Sequence, residues 1–259
     1  MPKQWSVQER QKHFDQLNTM YLDENKTIGE IGRLLSVSDK TIYKRLLTLG
    51  IQTNRAQKKS YSNQQTAILI PTEYSDDLAE LFGILLGDGS LSPTQVVITL
   101  GNKERSYAEY VKNLMQRVFN VAPKIAIRKL GYIDLFLGSV VVSRWLVSEG
   151  LVYNKVKSQI DVPPWVFTSK SFQRAFLRGF FDTDGSVYRL RYGIQLSFTN
   201  HSAPLLVSLQ RMLNTLEYQA SNVSSSKVYV TQKSAILRFF KEIAPKNQKH
   251  IDRFKEFLA

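Results

Sequence analysis

Two carboxylates stand at the same place in a segment that the chain repeats. Residues 81–90 form the sequence LFGILLGDGS, which contains Asp88, and residues 177–186 form LRGFFDTDGS, which contains Asp184. In both copies about ten mainly apolar residues precede the acidic residue, as in a buried helix. The repeat therefore predicts two equivalent helices, each with one carboxylate at its C-terminal end.

The chemistry open to these carboxylates depends on how the two helices pack. Small residues recur four apart on one face of each helix: Gly83 with Gly87, and Gly179 with Thr183. Parallel helices could therefore approach closely and bring Asp88 and Asp184 together at two negative helix-dipole ends, which is costly without cations. Mg²⁺ suits such a site, and a bound metal can activate water and stabilise the leaving oxygen of a phosphodiester.

Composition excludes several classes of protein. The chain has 259 residues, enough for one or two domains, with no cysteine and three histidines, so disulfides and thiolate zinc sites are excluded. Its formal net charge of +13 favours a polyanionic partner. No apolar run approaches the roughly 18 residues of a spanning helix, and the N-terminus has no apolar signal core. We therefore expect an intracellular protein without membrane contact, in the cytoplasm or nucleoid or in an organelle.

The repeat extends beyond the two acidic segments and predicts the fold class. Residues 97–102 match residues 195–200 at an offset of 98, and residues 143–155 match residues 237–249 at an offset of 94. Each half then has the element order αββαββα. We predict an α+β fold with two pseudo-symmetric halves, residues 74–165 and 166–259, preceded by a small helical domain and a linker.

The N-terminal residues 1–51 have the pattern of two short helices around a tight turn. Ser38 is a suitable N-cap for the second helix, and Gly50 is typical of a helix end. A helix-turn-helix DNA-binding domain and an ordinary helical hairpin fit this pattern equally well. In the first case four residues of the second helix would contact DNA: Lys40, Thr41, Lys44 and Arg45.

Residues 52–73 form a polar and basic linker. Its first part is rich in Gln, Asn, Ser and Lys, so it cannot bury much surface. Three basic residues there could lie on a phosphate backbone, although a merely solvated tether is equally consistent: Arg55, Lys58 and Lys59.

The two acidic segments resemble the paired motifs of the LAGLIDADG homing endonucleases, in the form with both halves in one chain. Residues 154–165 are also similar to that family. The resemblance implies a saddle of antiparallel strands in the DNA major groove and double-strand cleavage across the minor groove, leaving short 3′ overhangs. It implies Mg²⁺ as cofactor, with Mn²⁺ able to substitute and Ca²⁺ able to bind without supporting cleavage. Arg178 stands where the family has a small residue.

The resemblance also assigns residues. Asp88 and Asp184 stand at the metal-binding position of the family, and we add Gly87 and Thr183, which precede them, to the predicted metal ligands. A basic and a polar residue are expected near each scissile phosphate, and the alignment of the halves nominates two pairs: Lys155 with Lys249, and Asn102 with Asn200. Lys157 is an alternative to Lys155. Each lysine could equally be an exposed side chain on a basic surface.

Strands with basic residues at alternating positions are candidates for DNA contact. The alternation predicts a half-buried strand with Lys124, Ala126 and Arg128 outward and Ile125 and Ile127 inward. The same alternation predicts two further sets of outward-facing residues. The first is Arg189, Arg191 and Gln195, opposed to Tyr188, Leu190 and Tyr192, and the second is Lys227, Tyr229 and Thr231. Solvated strand faces also show such patterns. Arg and Gln suit base edges, whereas Lys can simply neutralise phosphate.

These observations favour a site-specific DNA endonuclease that acts as a monomer on double-stranded DNA with a long non-palindromic site. Because the chain runs from Met1 to Ala259 without the terminal residues of protein splicing, we expect a freestanding enzyme and not an intein. One alternative is a non-cleaving repressor or an intron RNA maturase on the same fold. Another is a glycoside hydrolase that uses the two carboxylates, which the net charge argues against.

Overall fold

The computed structural model divides into two compact units, Met1–Asn63 and Gln64–Ala259. It describes residues 6–24, 26–51, 53, 68–128, 131–155, 158–191 and 193–258. Within those ranges no helix is both long and apolar enough to cross a membrane.

The first unit is helical. Ser6, Thr27 and Ser38 begin its helices, and each side chain accepts a hydrogen bond from a backbone N–H of the first turn, as an N-cap does. The second helix of the predicted pair ends before Gly50, which has a φ of +73°. The elements are α1 (Val7–Asn18), a π-helical turn (Thr19–Asp23), α2 (Ile28–Leu34) and α3 (Asp39–Thr48). Their buried side chains form a small core of their own, which includes Leu17, Tyr21, Ile31, Ile42 and Leu46.

The first half of the second unit has the predicted order αββαββα. Its elements are α4 (Asp76–Gly87), β1 (Gly89–Ser92), β2 (Gln95–Gly101), α5 (Arg105–Phe119), β3 (Lys124–Ile127), β4 (Tyr132–Gly138) and α6 (Val140–Ser148). The strands form an antiparallel sheet in the order β1-β2-β4-β3. Apolar residues of one face of this sheet, among them Ile98 and Leu135, join the main core. The α+β class predicted from the sequence is confirmed.

The second half repeats this plan with one strand reduced. A 3₁₀ turn (Pro164–Thr168) leads into α7 (Lys170–Asp184), and then follow β5 (Gly185–Leu190), β6 (Gly193–Thr199), α8 (Ala203–Thr215), β7 (Lys227–Val230), α9 (Lys233–Glu242) and α10 (Gln248–Leu258). The sheet order is β5-β6-β7. The counterpart of β3 is reduced to a bridge between Ser224 and Lys227. Non-glycine residues at positive φ precede and follow this segment: Glu217, Gln219, Ser225 and Ser226.

Strand β3 is exposed on both faces, so the prediction of a half-buried strand was wrong. Ile127 is 65% exposed although it lies on the inner side of the sheet, opposite the buried Ile133. Among the strands that the structure describes, only β4 borders β3, and the helices that cover the inner face of the sheet do not shield Ile127. The alternation of residues was predicted correctly, but the depth of the strand in the fold was not.

The predicted grouping of Arg189 with Gln195 was also wrong. In the register of β5 and β6, Tyr188 lies directly opposite Gln195, and Arg189 lies opposite Ile194. Directly opposed residues of an antiparallel pair share a face, so Gln195 lies with Tyr188 on the face away from the core. Arg189 has the parity of the buried Val187 and lies beyond the edge of the core, where it is exposed.

Candidate active site

The two motif helices pack in parallel with their backbones in contact. A Cβ atom on Gly83 would lie 2.2 Å from the carbonyl oxygen of Phe176, and one on Gly179 would lie 2.1 Å from that of Glu80. One on Gly87 would lie 2.0 Å from the hydroxyl of Thr183. Because nothing larger than glycine fits at these positions, the small residues fix the distance between α4 and α7.

Arg178 does not widen this contact. Its guanidinium bonds the fully buried carboxylate of Glu80 on α4, with Nη2 at 2.7 Å from Oε2. The hydroxyl of Tyr110 donates to the other carboxylate oxygen at 2.6 Å. The position where the sequence departs from the family pattern therefore carries an ion pair between the two halves.

Asp88 and Asp184 lie together where the two helices end. Asp88 is the C-cap of α4, and Asp184 is the last residue of α7. The carboxyl carbon of Asp184 lies 3.6 Å from where a Cβ on Gly87 would be. Burial raises the pKa of Asp88 to about 6, with Asp184 as the second cause. Burial also raises the pKa of Asp184. Two partly desolvated carboxylates held side by side attract a cation.

Two predicted lysines border this pair. The Lys155 ammonium donates to the carbonyl oxygens of Leu85 and Leu86, at 3.3 and 3.2 Å, and to that of Gly87. It thereby caps the C-terminal end of α4, and burial lowers its pKa while both carboxylates oppose that effect. Lys249 forms an ion pair with Glu104 at 2.8 Å. Both lysines lower the pKa of each aspartate, so both lie within electrostatic reach of the pair.

The two predicted asparagines are placed differently. Asn200 Nδ2 donates to Asp184 Oδ2 at 3.1 Å, and Asn200 Oδ1 accepts from the N–H of Ser202. Asn102 is exposed and lies beside Gly131, and none of the hydrogen bonds within the described residues joins it to Asp88. The alignment of the halves made the two equivalent, but only Asn200 reaches its aspartate.

Glu104 is a site residue that the sequence did not indicate. It accepts from Asn247 Nδ2 at 2.6 Å and from the N–H of Gly101 at 2.6 Å, besides pairing with Lys249. Its counterpart at the offset of 98 is Ser202, so the repeat gave no signal for it. Glu104 ties the start of α5 to the start of α10 beside the carboxylate pair.

Asp182 is a second acidic residue with an unexpected structural role. Its fully buried carboxylate accepts from the N–H groups of Lys246 and Asn247, at 2.8 and 3.1 Å. Burial raises its pKa to about 7. Asp182 of the second motif stands where the first motif has the apolar Leu86. This difference between the motifs was the sequence signal that could have indicated a special role for Asp182.

The predicted metal ligands fit a cation only in part. Asp88 and Asp184 supply two oxygen donors of the type that Mg²⁺ prefers. The carbonyl of Gly87 already accepts a hydrogen bond from Lys155, and the hydroxyl of Thr183 donates to the carbonyls of Gly179 and Phe180. Among the residues that the structure describes, no group of three or more His, Cys, Asp or Glu side chains could hold a metal. A metal here would therefore rely on water and substrate oxygens for most of its ligands.

Most of the other predicted DNA-contacting residues that the structure describes lie on three surfaces. Lys124 and Arg128 lie on the face of the first sheet away from its core, and Gln195, Lys227 and Tyr229 lie on the corresponding face of the second sheet. On α3, Lys40 and Lys44 are exposed, Arg45 is half-buried, and the Thr41 hydroxyl bonds that of Ser38. Arg191 is exposed beyond β5. Four predicted residues lie outside the described ranges: Arg55, Lys58, Lys59 and Lys157.

Two family models match the chain, one in each half. Residues 79–140 match the WhiA LAGLIDADG-like domain, and residues 171–244 match the LAGLIDADG-like domain. The chain therefore contains two LAGLIDADG-like domains. Each match begins within a motif helix and includes the aspartate at its end.

Curated relatives match about two thirds of the chain. The replication factor C small subunit of Methanocaldococcus jannaschii is 26% identical over 174 residues, which are 65% of this chain and 9% of that protein. The probable cell division protein WhiA of Thermoanaerobacter sp. (strain X514) is 20% identical over 184 residues, which are 66% of this chain and 58% of that protein. The match thus spans only part of each relative.

Solved structures of LAGLIDADG proteins are similar at low identity. The N-terminal LAGLIDADG domain of WhiA is 19% identical, with a TM-score of 0.46, over 69% of this chain and 88% of that chain. I-DmoI in complex with DNA and Ca is 21% identical, with a TM-score of 0.48, over 65% of this chain and 88% of that chain.

Proposed function

We propose that this protein is a divalent-metal-dependent, site-specific double-strand DNA endonuclease. The observation that carries the proposal is the pair Asp88 and Asp184, which lie side by side at the ends of two parallel helices. A protein that only binds DNA gains nothing from two partly buried carboxylates beside phosphates, because they repel the backbone. The net charge of +13 supports DNA as the polyanion.

The residues around the pair have separable roles in this proposal. Asp88 and Asp184 would hold Mg²⁺, for which Mn²⁺ would substitute, whereas Ca²⁺ would bind without supporting cleavage. The metal would supply water activation and charge stabilisation at the leaving oxygen. Lys155 and Lys249 offset negative charge at the scissile phosphates, and Asn200 orients Asp184. Asn102 has no role at the pair in this geometry.

The recognition surfaces would be the faces of the two sheets away from their cores. Because their side chains differ between the halves, we propose a long non-palindromic site bound by one chain per duplex, in an intracellular compartment.

In the first unit, α2 and α3 would act as a helix-turn-helix, with Lys40 and Lys44 on phosphates. Replacing Lys44 by Ala should then reduce the slope of log affinity against log salt by about one, whereas Lys26→Ala should not.

Cleavage of a randomised duplex library tests the proposal. Wild type, Asp88→Asn and Asp184→Asn are compared in Mg²⁺, Ca²⁺ and EDTA, and the cut ends are sequenced. Glu109→Gln, which removes an exposed carboxylate on α5, is the matched control. We expect cuts at one site in Mg²⁺ only, lost in both aspartate variants and retained in the control. Cleavage that survives Asp88→Asn would show that the catalytic site lies elsewhere.

The second candidate is a non-cleaving DNA-binding protein on the same fold. The match of residues 79–140 to the WhiA LAGLIDADG-like domain favours it. Selective binding of one sequence without cutting in Mg²⁺ or Mn²⁺ would support this candidate over the endonuclease. An intron RNA maturase would instead bind structured RNA in preference to the duplex.

A further inference from the structure

An acidic residue lies on the outer face of the first sheet, where the proposed function would place DNA. Asp134 on β4 is directly opposite Thr99 on β2 and Ala126 on β3, so the three residues form a row across the sheet. Their face is opposite the one whose apolar residues, such as Ile133 and Leu135, enter the core. A carboxylate at such a position weakens binding to phosphates and therefore needs another explanation.

The carboxylate of Asp134 is held from two sides. The hydroxyl of Thr99 donates to Oδ1 at 2.8 Å, and Nε of Arg128 donates to Oδ2. Arg128 directly follows β3, and the short side chain of Ala126 leaves room for it to reach diagonally across to Asp134. The Asp134 side chain is 7% exposed, so its carboxylate is not available to an incoming ligand.

The side chain of Arg128, unlike that of Asp134, is largely exposed, at 62%. Its Nε is held by Asp134, and no other hydrogen bond within the described residues engages its guanidinium group. The backbone of Arg128 is also fixed, because its N–H bonds the carbonyl of Tyr132 and its carbonyl accepts from Gly131, which has a φ of +82°. The two terminal nitrogens lie at the end of β3 on an exposed side chain, as donors without a partner among the described residues.

We propose that Asp134 positions Arg128 to recognise one guanine in the major groove, an inference that rests on the proposed function. Guanine presents two acceptors, N7 and O6, which match the two terminal nitrogens of a guanidinium in a bidentate pair. The other bases offer donors or single acceptors at this edge. Arg128 is fixed before binding, so less side-chain freedom is lost, and the neighbouring carboxylate disfavours a phosphate in the same place.

The described residues of the second half lack this arrangement. Thr99 corresponds to Ser197 at the offset of 98, and the residue opposite Ser197 is Tyr229 and not an acid. Recognition by an arginine held in this way would therefore belong to one half-site only.

Selection of bound duplexes from a randomised library in Ca²⁺ tests the inference. The full chain is compared with Arg128→Lys, Arg128→Ala, Asp134→Asn and the control Glu109→Gln, which removes an exposed carboxylate on α5. We expect one position at which wild type selects guanine about tenfold over other bases, a preference lost in both Arg128 variants. Asp134→Asn should weaken the preference at that same position only, whereas Glu109→Gln should leave it unchanged.

The outcomes separate this inference from the proposed function. If wild type selects a long site but the Arg128 variants alter no position, or alter all positions alike, the role of Arg128 is refuted. If Asp134→Asn weakens selection at every position, Asp134 has only a structural role. If wild type selects no sequence, the site-specific function fails and the inference fails with it. Because the Arg128 side chain is exposed, we expect the Arg128→Lys variant to fold. A changed base preference in this variant therefore reports on recognition and not on misfolding.

Discussion

Gly179 and Glu80 are in backbone contact, so that a methyl group on Gly179 would lie 2.1 Å from the carbonyl oxygen of Glu80. Alanine is normally favoured over glycine within a helix by about 1 kcal/mol. At position 179 we expect the reverse, because the substitution must push α4 and α7 apart. Gly179→Ala should lower the free energy of unfolding by about 3 kcal/mol, measured by urea denaturation.

Gly138 is the matched control for this effect. A Cβ there would meet no atom within 4 Å, so Gly138→Ala should change stability by less than about 0.5 kcal/mol. Equal effects of the two substitutions would mean that the glycines do not set the distance between the helices.

The carboxylate pair predicts a pH-dependent gain of stability on substitution. The pKa of Asp88 is raised to about 6 in the folded protein. Its protonation therefore stabilises the folded state at pH values below the pKa of the residue in the unfolded chain, and this stabilisation is lost as the pH rises through 6. In EDTA at pH 8, Asp88→Asn should therefore be more stable than wild type by an amount on the order of 2 kcal/mol. The difference should vanish near pH 4. Thermal melts across this pH range would measure it.

Metal addition provides an independent check on the same site. Mg²⁺ should raise the melting temperature of wild type at pH 8 and leave that of Asp88→Asn nearly unchanged, because the ligand binds only the folded state with both carboxylates. Glu109→Gln should behave as wild type in both experiments. A variant less stable than wild type at pH 8 would contradict the electrostatic strain assigned to the pair.

Local patterns were sufficient to predict the motif helices and their carboxylates. The apolar run before Asp88 and the spacing of Gly83 and Gly87 are properties of one short segment, and the repeat supplied the partner. The same holds for the N-cap of Ser38. Features set by a few consecutive residues can therefore be predicted from the sequence.

Features set by strand register or by distant segments could not be predicted. The faces of Arg189 and Gln195 depend on the pairing of Leu190 with Gly193, and a shift of one residue reverses every side chain. Glu104 meets Asn247 across 143 positions of sequence. No local pattern indicates such a contact.

Because Arg178 and Glu80 form an ion pair, we predict a large loss of stability when one of the two side chains is replaced by an uncharged one. Glu80 is fully buried, so Arg178→Met would leave its carboxylate without a counter-charge. We expect the free energy of unfolding to fall by about 3–5 kcal/mol. The double variant Glu80→Gln with Arg178→Met should recover most of that loss, as denaturation of all three proteins would show.

An exposed ion pair is the control for this prediction. Arg117 and Asp77 are 49% and 39% exposed, so Arg117→Met should cost less than about 1 kcal/mol. A loss at Arg178 no greater than at Arg117 would refute the role of the buried pair between the halves.

His250 predicts a loss of stability in acid. Its ring is fully buried against Phe181, with 4.7 Å between ring centroids, and burial lowers its pKa to about 3. The unfolded chain binds a proton at this residue below about pH 6.5, whereas the folded chain does not. The resulting destabilisation should grow by about 1.4 kcal/mol per pH unit as pH falls from 6.5 towards 4.

His250→Leu isolates this contribution from the opposing one of Asp182. The pKa of Asp182 is raised to about 7, so its contribution favours folding as pH falls and masks the histidine in wild type. The free energy of unfolding of the variant, minus that of wild type, should therefore rise by about 1.4 kcal/mol for each unit of pH lost between 6.5 and 4. A difference independent of pH for His250→Leu would mean that the imidazole is protonated in the folded protein, which its burial beside Lys249 and Arg253 opposes.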